Sequence, residues 1–295
     1  MHVPVNMASQ VPTGGAIARP ASAANVDSIA TQRIGESDRA PQISQRLLGL
    51  FTWYSRRYLR RHFHSLRVSL PRLPPRRLEL PTVIYSNHAS WWDPIVGLLL
   101  KQEFFPQKNV YVPMEAAALA RYGFFRRLGA FGVEAGTAHG AATFLRASKS
   151  ILRDRANLLW LTPQARFTDA RERPVQLKPG IAHLPRLAPR LCFLPVAIEY
   201  VFWEERLPEI LVAFGQPMEV SSDDRVVKSQ AWLEIFSSQL RQTQEALAAE
   251  ALRRQPAAFR CLLNGRSGVG GIYDRWRGLR ARLMGQQFRP QHGRL

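Results

Sequence analysis

The stretch TVIYSNHASWWDPIVGLLL, residues 82–100, decides the fold. Its first four residues, Thr82 to Tyr85, are β-branched or aromatic and read as a short buried strand. That strand runs straight into Ser86, Asn87 and His88. Asp93 followed by Pro94 then reads as an N-cap with proline at the first helical position, where its missing N–H costs nothing and its φ is already set. Ile95, Val96, Leu98 and Leu99 continue as an apolar helix. Strand, polar turn and helix form the repeating unit of α/β domains.

The same alternation extends downstream. Val110 to Val112, Leu158 to Leu161, Cys192 to Ile198 and Ile210 to Phe214 read as strands. Thr137 with Ala141, Phe144, Leu145, Ser148 and Leu152, and later Trp232, Ile235, Phe236, Leu240 and Leu247, recur at helical spacing. The expected fold class is α/β: a mixed central sheet flanked by helices, spanning residues 81–254. Upstream, Ile43, Leu47, Leu50, Phe51, Tyr54 and Tyr58 form a helical stripe among Arg46, Arg56, Arg57, Arg60 and Arg61. Leu48, Leu59 and Phe63 fall off that stripe. Pro71, Pro74 and Pro75 end the segment, so residues 41–80 read as a basic amphipathic helix and a proline-rich linker. Residues 1–40 are rich in Pro, Gly, Ala and Ser and are expected to be a disordered tail, with too few large apolar groups to offset ordering. Residues 255–295 read as a basic C-terminal extension.

Charge separates these parts. The chain has 295 residues and a formal net charge of +19, yet residues 81–250 hold 19 basic against 17 acidic groups. The excess sits in residues 41–80, with nine Arg against Glu79, and in 251–295, with ten Arg against Asp274. Such arms attract polyanions, whether nucleic acid, an anionic lipid surface or an acidic carrier protein; the alternative is a coding bias toward arginine. The 36 arginines against five lysines favour bidentate phosphate contacts. Only Cys192 and Cys261 carry thiols, too few for a disulfide framework or a cysteine-built zinc site, so a reducing compartment is expected. The longest apolar run is about eight residues, short of the roughly 20 that cross a bilayer. The N-terminus lacks a basic start followed by an apolar run, and a cytoplasmic location is expected. Nucleic-acid binding lacks a helix-turn-helix, zinc ligands or an aromatic RNA-binding block, and a serine hydrolase lacks its Gly-x-Ser-x-Gly elbow.

The densest polar cluster is Asn87-His88-Ala89-Ser90-Trp91-Trp92-Asp93. Acyl transfer to a hydroxyl needs a base that takes a proton near neutral pH, and a carboxylate can hold the imidazole in the right tautomer. His88 and Asp93 are candidates for that pair. On an ideal helix, residues five apart point about 140° away from each other. They meet only if His88 sits in the loop and Asp93 at the helix start. The plainer reading is that Asp93 only caps the helix and His88 is a turn residue.

Asn87-His88-x-Ser90-x-x-Asp93 at the end of an apolar strand resembles the first motif of the glycerolipid acyltransferase family, which includes the lysophosphatidic acid acyltransferases. Gly129-Ala130-Phe131-Gly132-Val133-Glu134 resembles the second block, Leu159 to Ala165 with Lys178-Pro179-Gly180 the third, and Leu194-Pro195-Val196 the fourth. The similarity covers roughly residues 81–220. It implies an O-acyltransferase of lipid metabolism, in phospholipid biosynthesis, that works without a covalent enzyme intermediate. His88 would be the base and Asp93 its orienting partner. Asn87, Ser90, Gln164, Arg166, Lys178 and Gly180 would bind substrate or hold the loop. No metal or organic cofactor is implied; acyl-CoA or acyl carrier protein is the co-substrate, and the expected partners are a lipid acceptor and an anionic membrane surface, with no nucleic acid.

Two departures bear on the acceptor. Ala135 stands where the family places an arginine after the acid, and Gln164-Ala165-Arg166-Phe167 replaces acid-glycine-threonine-arginine. Both remove groups that the family sets around an acceptor phosphate. A hydroxyl acceptor without a phosphate, or a phosphate seated by Arg166, Arg171, Arg173 and Lys178, are the readings left open. A non-catalytic lipid-binding protein that retains the fold is the alternative from another class.

Overall fold

The computed structural model describes residues 40–267 together with Arg280 and Met284. The expected tail, 1–40, apart from Ala40, and most of the basic extension lie outside the described residues. Helix α1 spans Gln45–His62 and leads into strand β1, Ser65–Ser69. Strand β2, Thr82–Ser86, is followed by α2, Asp93–Phe104, and then β3, Asn109–Glu115, with α3, Ala116–Arg121. Next come β4, Ala130–Val133, α4, Ala138–Ile151, and β5, Asn157–Leu161. Strands β6, Arg190–Val201, β7, Glu209–Phe214, and β8, Met218–Ser221, precede the long α5, Ser229–Leu252, and β9, Phe259–Asn264.

The nine strands form one mixed sheet in the order β4-β3-β5-β2-β6-β7-β1-β9, with β8 also on β6. The five strands from β4 to β6 are parallel, so their carboxyl ends share one edge. Strand β7 runs antiparallel to β6, β1 is parallel to β7, and β9 is antiparallel to β1. The fold is thus α/β, as the alternation indicates. The sheet outgrows the expected limits of 81–254, because β1 and β9 lie in the segments read as linker and extension. Neither announces itself: SLRVS and FRCLLN each carry an arginine, and their strand character comes from pairing with β7 and with each other.

Successive residues of a strand face opposite sides, so β2 feeds two cores. Ile84 joins Trp160, Leu194 and Val196 under α2, whose Ile95, Val96, Leu99 and Leu100 cover that face. Val83 and Tyr85 join Leu159 and Phe193 under α4 and α5. The α1 helix departs from its expected stripe. It buries Leu48, Ser55 and Leu59 against the domain, while Leu50 and Trp53 stay 62% and 63% exposed. Two apolar faces on one helix explain why no single stripe accounts for Leu48 and Leu59.

Candidate active site

The loop between β2 and α2 stands at the shared carboxyl edge, where α/β sheets place their ligand crevices. Asn87, fully buried, clamps it to β6: its Nδ2 donates to Ile198 O at 2.9 Å and its Oδ1 accepts from Ile198 N–H at 2.8 Å. The parallel register pairs Ser86 with Val196, so the next residue of β2 falls within reach of Ile198. His88 N–H donates to Gln164 Oε1 at 2.9 Å, and His88 O accepts from Thr168 N–H at 2.9 Å. The loop after β5 therefore grips the backbone of His88 from the other side.

His88 Nδ1 lies 2.8 Å from Asp93 Oδ2. Nδ1 donates to the carboxylate, which leaves Nε2 with its lone pair. The His88 side chain is 19% exposed and that of Asp93 3%. Asp93 Oδ2 also accepts from Ser90 N–H at 3.0 Å, and Oδ1 accepts from Tyr200 Oη–H at 2.6 Å. Burial, then the nearby Asp93 charge and the bond to it, push the Tyr200 phenol well above its usual range. It stays a donor to Asp93 at any ordinary pH.

Asp93 is not the N-cap that the sequence suggests. Trp92 is already helical, with φ −74° and ψ −20°, and Ser90 Oγ accepts from Trp92 N–H at 3.4 Å. Trp92 stands at the N-cap without a side-chain cap of its own, and the carboxylate of Asp93, the first helical residue, returns to the Ser90 N–H and closes the turn that precedes the helix. Helix initiation thus orients the acid, and one carboxylate holds both the turn and the imidazole. This arrangement solves the spacing problem, because His88 precedes the helical turn altogether.

The structure brings His88, Asp93, Asn87, Ser90 and Gln164 together. It does not bring in the rest. Arg166 is exposed and paired with Glu172. The Lys178 backbone N–H donates to Pro163 O at 2.8 Å while its side chain is exposed, and Gly180 faces the Phe144 ring of α4. Neither enters the network of His88 and Asp93. Conversely, Tyr200 and Phe167 escape a reading of local sequence. Phe167, 59% exposed, lies against the imidazole with ring centroids 4.4 Å apart, and Trp91, also exposed, stacks on Trp92 at 4.3 Å beside the loop. Only strand register and the return of the loop after β5 place Tyr200 and Phe167 at the site. No protein-family model and no curated protein matches the chain.

Proposed function

We propose that the chain is an O-acyltransferase that moves a fatty acyl group from a thioester donor, acyl-CoA or acyl carrier protein, to a hydroxyl of a lipid-like acceptor. The observation that carries this reading is the 2.8 Å contact between His88 and an Asp93 fixed by Ser90 and Tyr200. His88 Nε2 takes the hydroxyl proton as the acceptor oxygen bonds to the thioester carbonyl carbon. Collapse of the tetrahedral adduct breaks the carbon–sulfur bond, and the imidazolium returns the proton to the leaving thiolate. An ester and a free thiol result, with no further reactant.

A hydroxyl without an adjacent phosphate fits the acceptor best. Arg166 pairs with Glu172, Arg171 donates to Asp169 at 3.0 and 3.1 Å, and Arg173 donates to Ala170 O and Glu172 O at 3.0 and 2.8 Å. Arg171 holds the Asp169 carboxyl below its ordinary range. Arg166 and Arg171 of this loop are thus already paired with its own two acids, and Arg173 with Glu245 of α5. Lysophosphatidic acid is the second reading, because taking Arg166 from Glu172 breaks one exposed pair worth about 0.2–1 kcal/mol. Loss of that activity in Arg166→Ala would favour it.

Peripheral attachment to an anionic membrane is part of the proposal. Exposed Leu50, Trp53 and Tyr54 beside the arginines of α1 support it, since apolar area and basic charge add at such a surface. Among the described residues no helix is long and apolar enough to cross a membrane.

The test is lipid profiling by mass spectrometry of cells lacking the protein and cells complemented with wild type or His88→Ala. Wild type should restore an acylated lipid that His88→Ala does not, with the rate of the purified variant lowered by about 10² to 10⁴. Equal restoration by both would sink the assignment.

A further inference from the structure

Helix α1 carries more cations than its own terminus needs. Arg60 and Arg61 lie in the last turn, where basic side chains offset the partial negative charge of the free carbonyls. Arg56 and Arg57 lie a turn earlier. Across from them, residues 264–266 leave the end of β9, and the two segments enclose a cleft of about 350 Å³ walled by these four arginines, Arg266 and Trp53. The five guanidinium groups form no ion pair among the described residues, whereas Arg166, Arg171 and Arg173 each have one. Beyond residue 267 the sequence adds six arginines against Asp274, so it adds to the basic excess rather than offsetting it.

The walls of the cleft are tied together. Gly265 N–H donates to His64 O at 2.7 Å, and His64 Nδ1 lies 3.2 Å from Arg266 O. A Cβ on Gly265 would stand 1.9 Å from Phe63 O, so glycine permits this close approach. Like charges gathered around one cleft raise its energy when it is empty, and a bound anion lowers it. Guanidinium forks match phosphate oxygens two at a time, which a lysine cannot do.

We propose that this cleft binds a phosphorylated ligand presenting two or more phosphate charges, seated between the arginines of α1 and Arg266, with the Trp53 indole along one side. The residues lining the cleft include neither His88 nor Asp93, and the proposal does not depend on the acyltransferase reading. A phosphate of this kind comes from a soluble compound or from a lipid headgroup, and the experiment separates the two.

Pyrophosphate is titrated calorimetrically into the full-length protein and into two variants that each remove two exposed charges: Arg57→Gln/Arg60→Gln in the cleft, and Arg121→Gln/Arg126→Gln outside it. Saturable binding is expected, weakened about tenfold or more by the cleft variant and less than about twofold by the other. Equal weakening by both, or uptake that never saturates, would overturn the proposal in favour of diffuse charge. Sedimentation with phosphatidylcholine vesicles containing phosphatidic acid then assigns the source. Vesicle binding displaced by pyrophosphate and lost in the cleft variant identifies a lipid phosphate. Saturable pyrophosphate binding, with vesicle binding that is indifferent to pyrophosphate and equal in both variants, identifies a soluble one. Thermal unfolding of both variants shows that each remains folded.

Discussion

Tyr200→Phe deletes a single oxygen and leaves the ring that packs near Phe63, with centroids 5.8 Å apart. The deleted hydroxyl donates to Asp93 Oδ1 at 2.6 Å, while Oδ2 retains His88 Nδ1 at 2.8 Å and Ser90 N–H at 3.0 Å. Oδ1 has no other donor among the described residues, and the Asp93 side chain is 3% exposed, so water is a poor replacement. A hydrogen bond to a charged group contributes about 1.5–3 kcal/mol, and the variant should lose stability in that range. For a domain of this size the loss corresponds to a Tm lower by about 3–12 °C. Urea unfolding followed by far-UV circular dichroism measures it directly. A double-mutant cycle with Asp93→Asn isolates the pair: the coupling should lie at about 0.5–3 kcal/mol, since the two groups touch. A Tyr200→Phe protein within about 0.5 kcal/mol of wild type, or one equally destabilised in the Asp93→Asn background, would refute the claim that the phenol fixes the carboxylate.

Three further substitutions test the scaffold. Asn87→Ala leaves the N–H and C=O of Ile198 without their clamp and should cost about 2–5 kcal/mol in urea unfolding; a loss below about 1 kcal/mol would show that the loop does not rely on it. Burial raises the Glu199 carboxyl above its ordinary value, although Arg171 opposes the shift. A group raised in the folded state destabilises that state once pH exceeds its unfolded pKa, so Glu199→Gln should gain Tm over wild type as pH climbs from about 4.5 to 7.5, and a gain that shrinks over this window would contradict the burial argument. Gly129 has φ of +102°, and a Cβ there would lie 2.2 Å from Val110 O. Gly129→Ala should therefore destabilise by more than about 1 kcal/mol, and an unchanged Tm would show that the β3–β4 edge yields easily.

The sequence by itself determined the alternation of strands and helices from residue 82 onward, because apolar runs such as Thr82–Ser86 and Asn157–Leu161 are fully buried and carry their signal locally. It also determined that His88 must lie in a turn if it is to meet Asp93, since helical geometry forbids the alternative. Tertiary structure decided the rest. Strands β1 and β9 exist through partners far away in the chain, and Tyr200 reaches Asp93 across 107 residues only because β6 lies beside β2. It also decided which arginines are neutralised. In the sequence, Arg171 has Asp169 two residues away and Arg166 has Glu172 six away, whereas Arg57 and Arg60 belong to a segment with nine arginines against Glu79. An ion pair depends on distance in space, and folding kept those acids beside Arg166 and Arg171 while gathering Arg57 and Arg60 with Arg266, distant in the chain, around a cleft with no acid among its described lining residues.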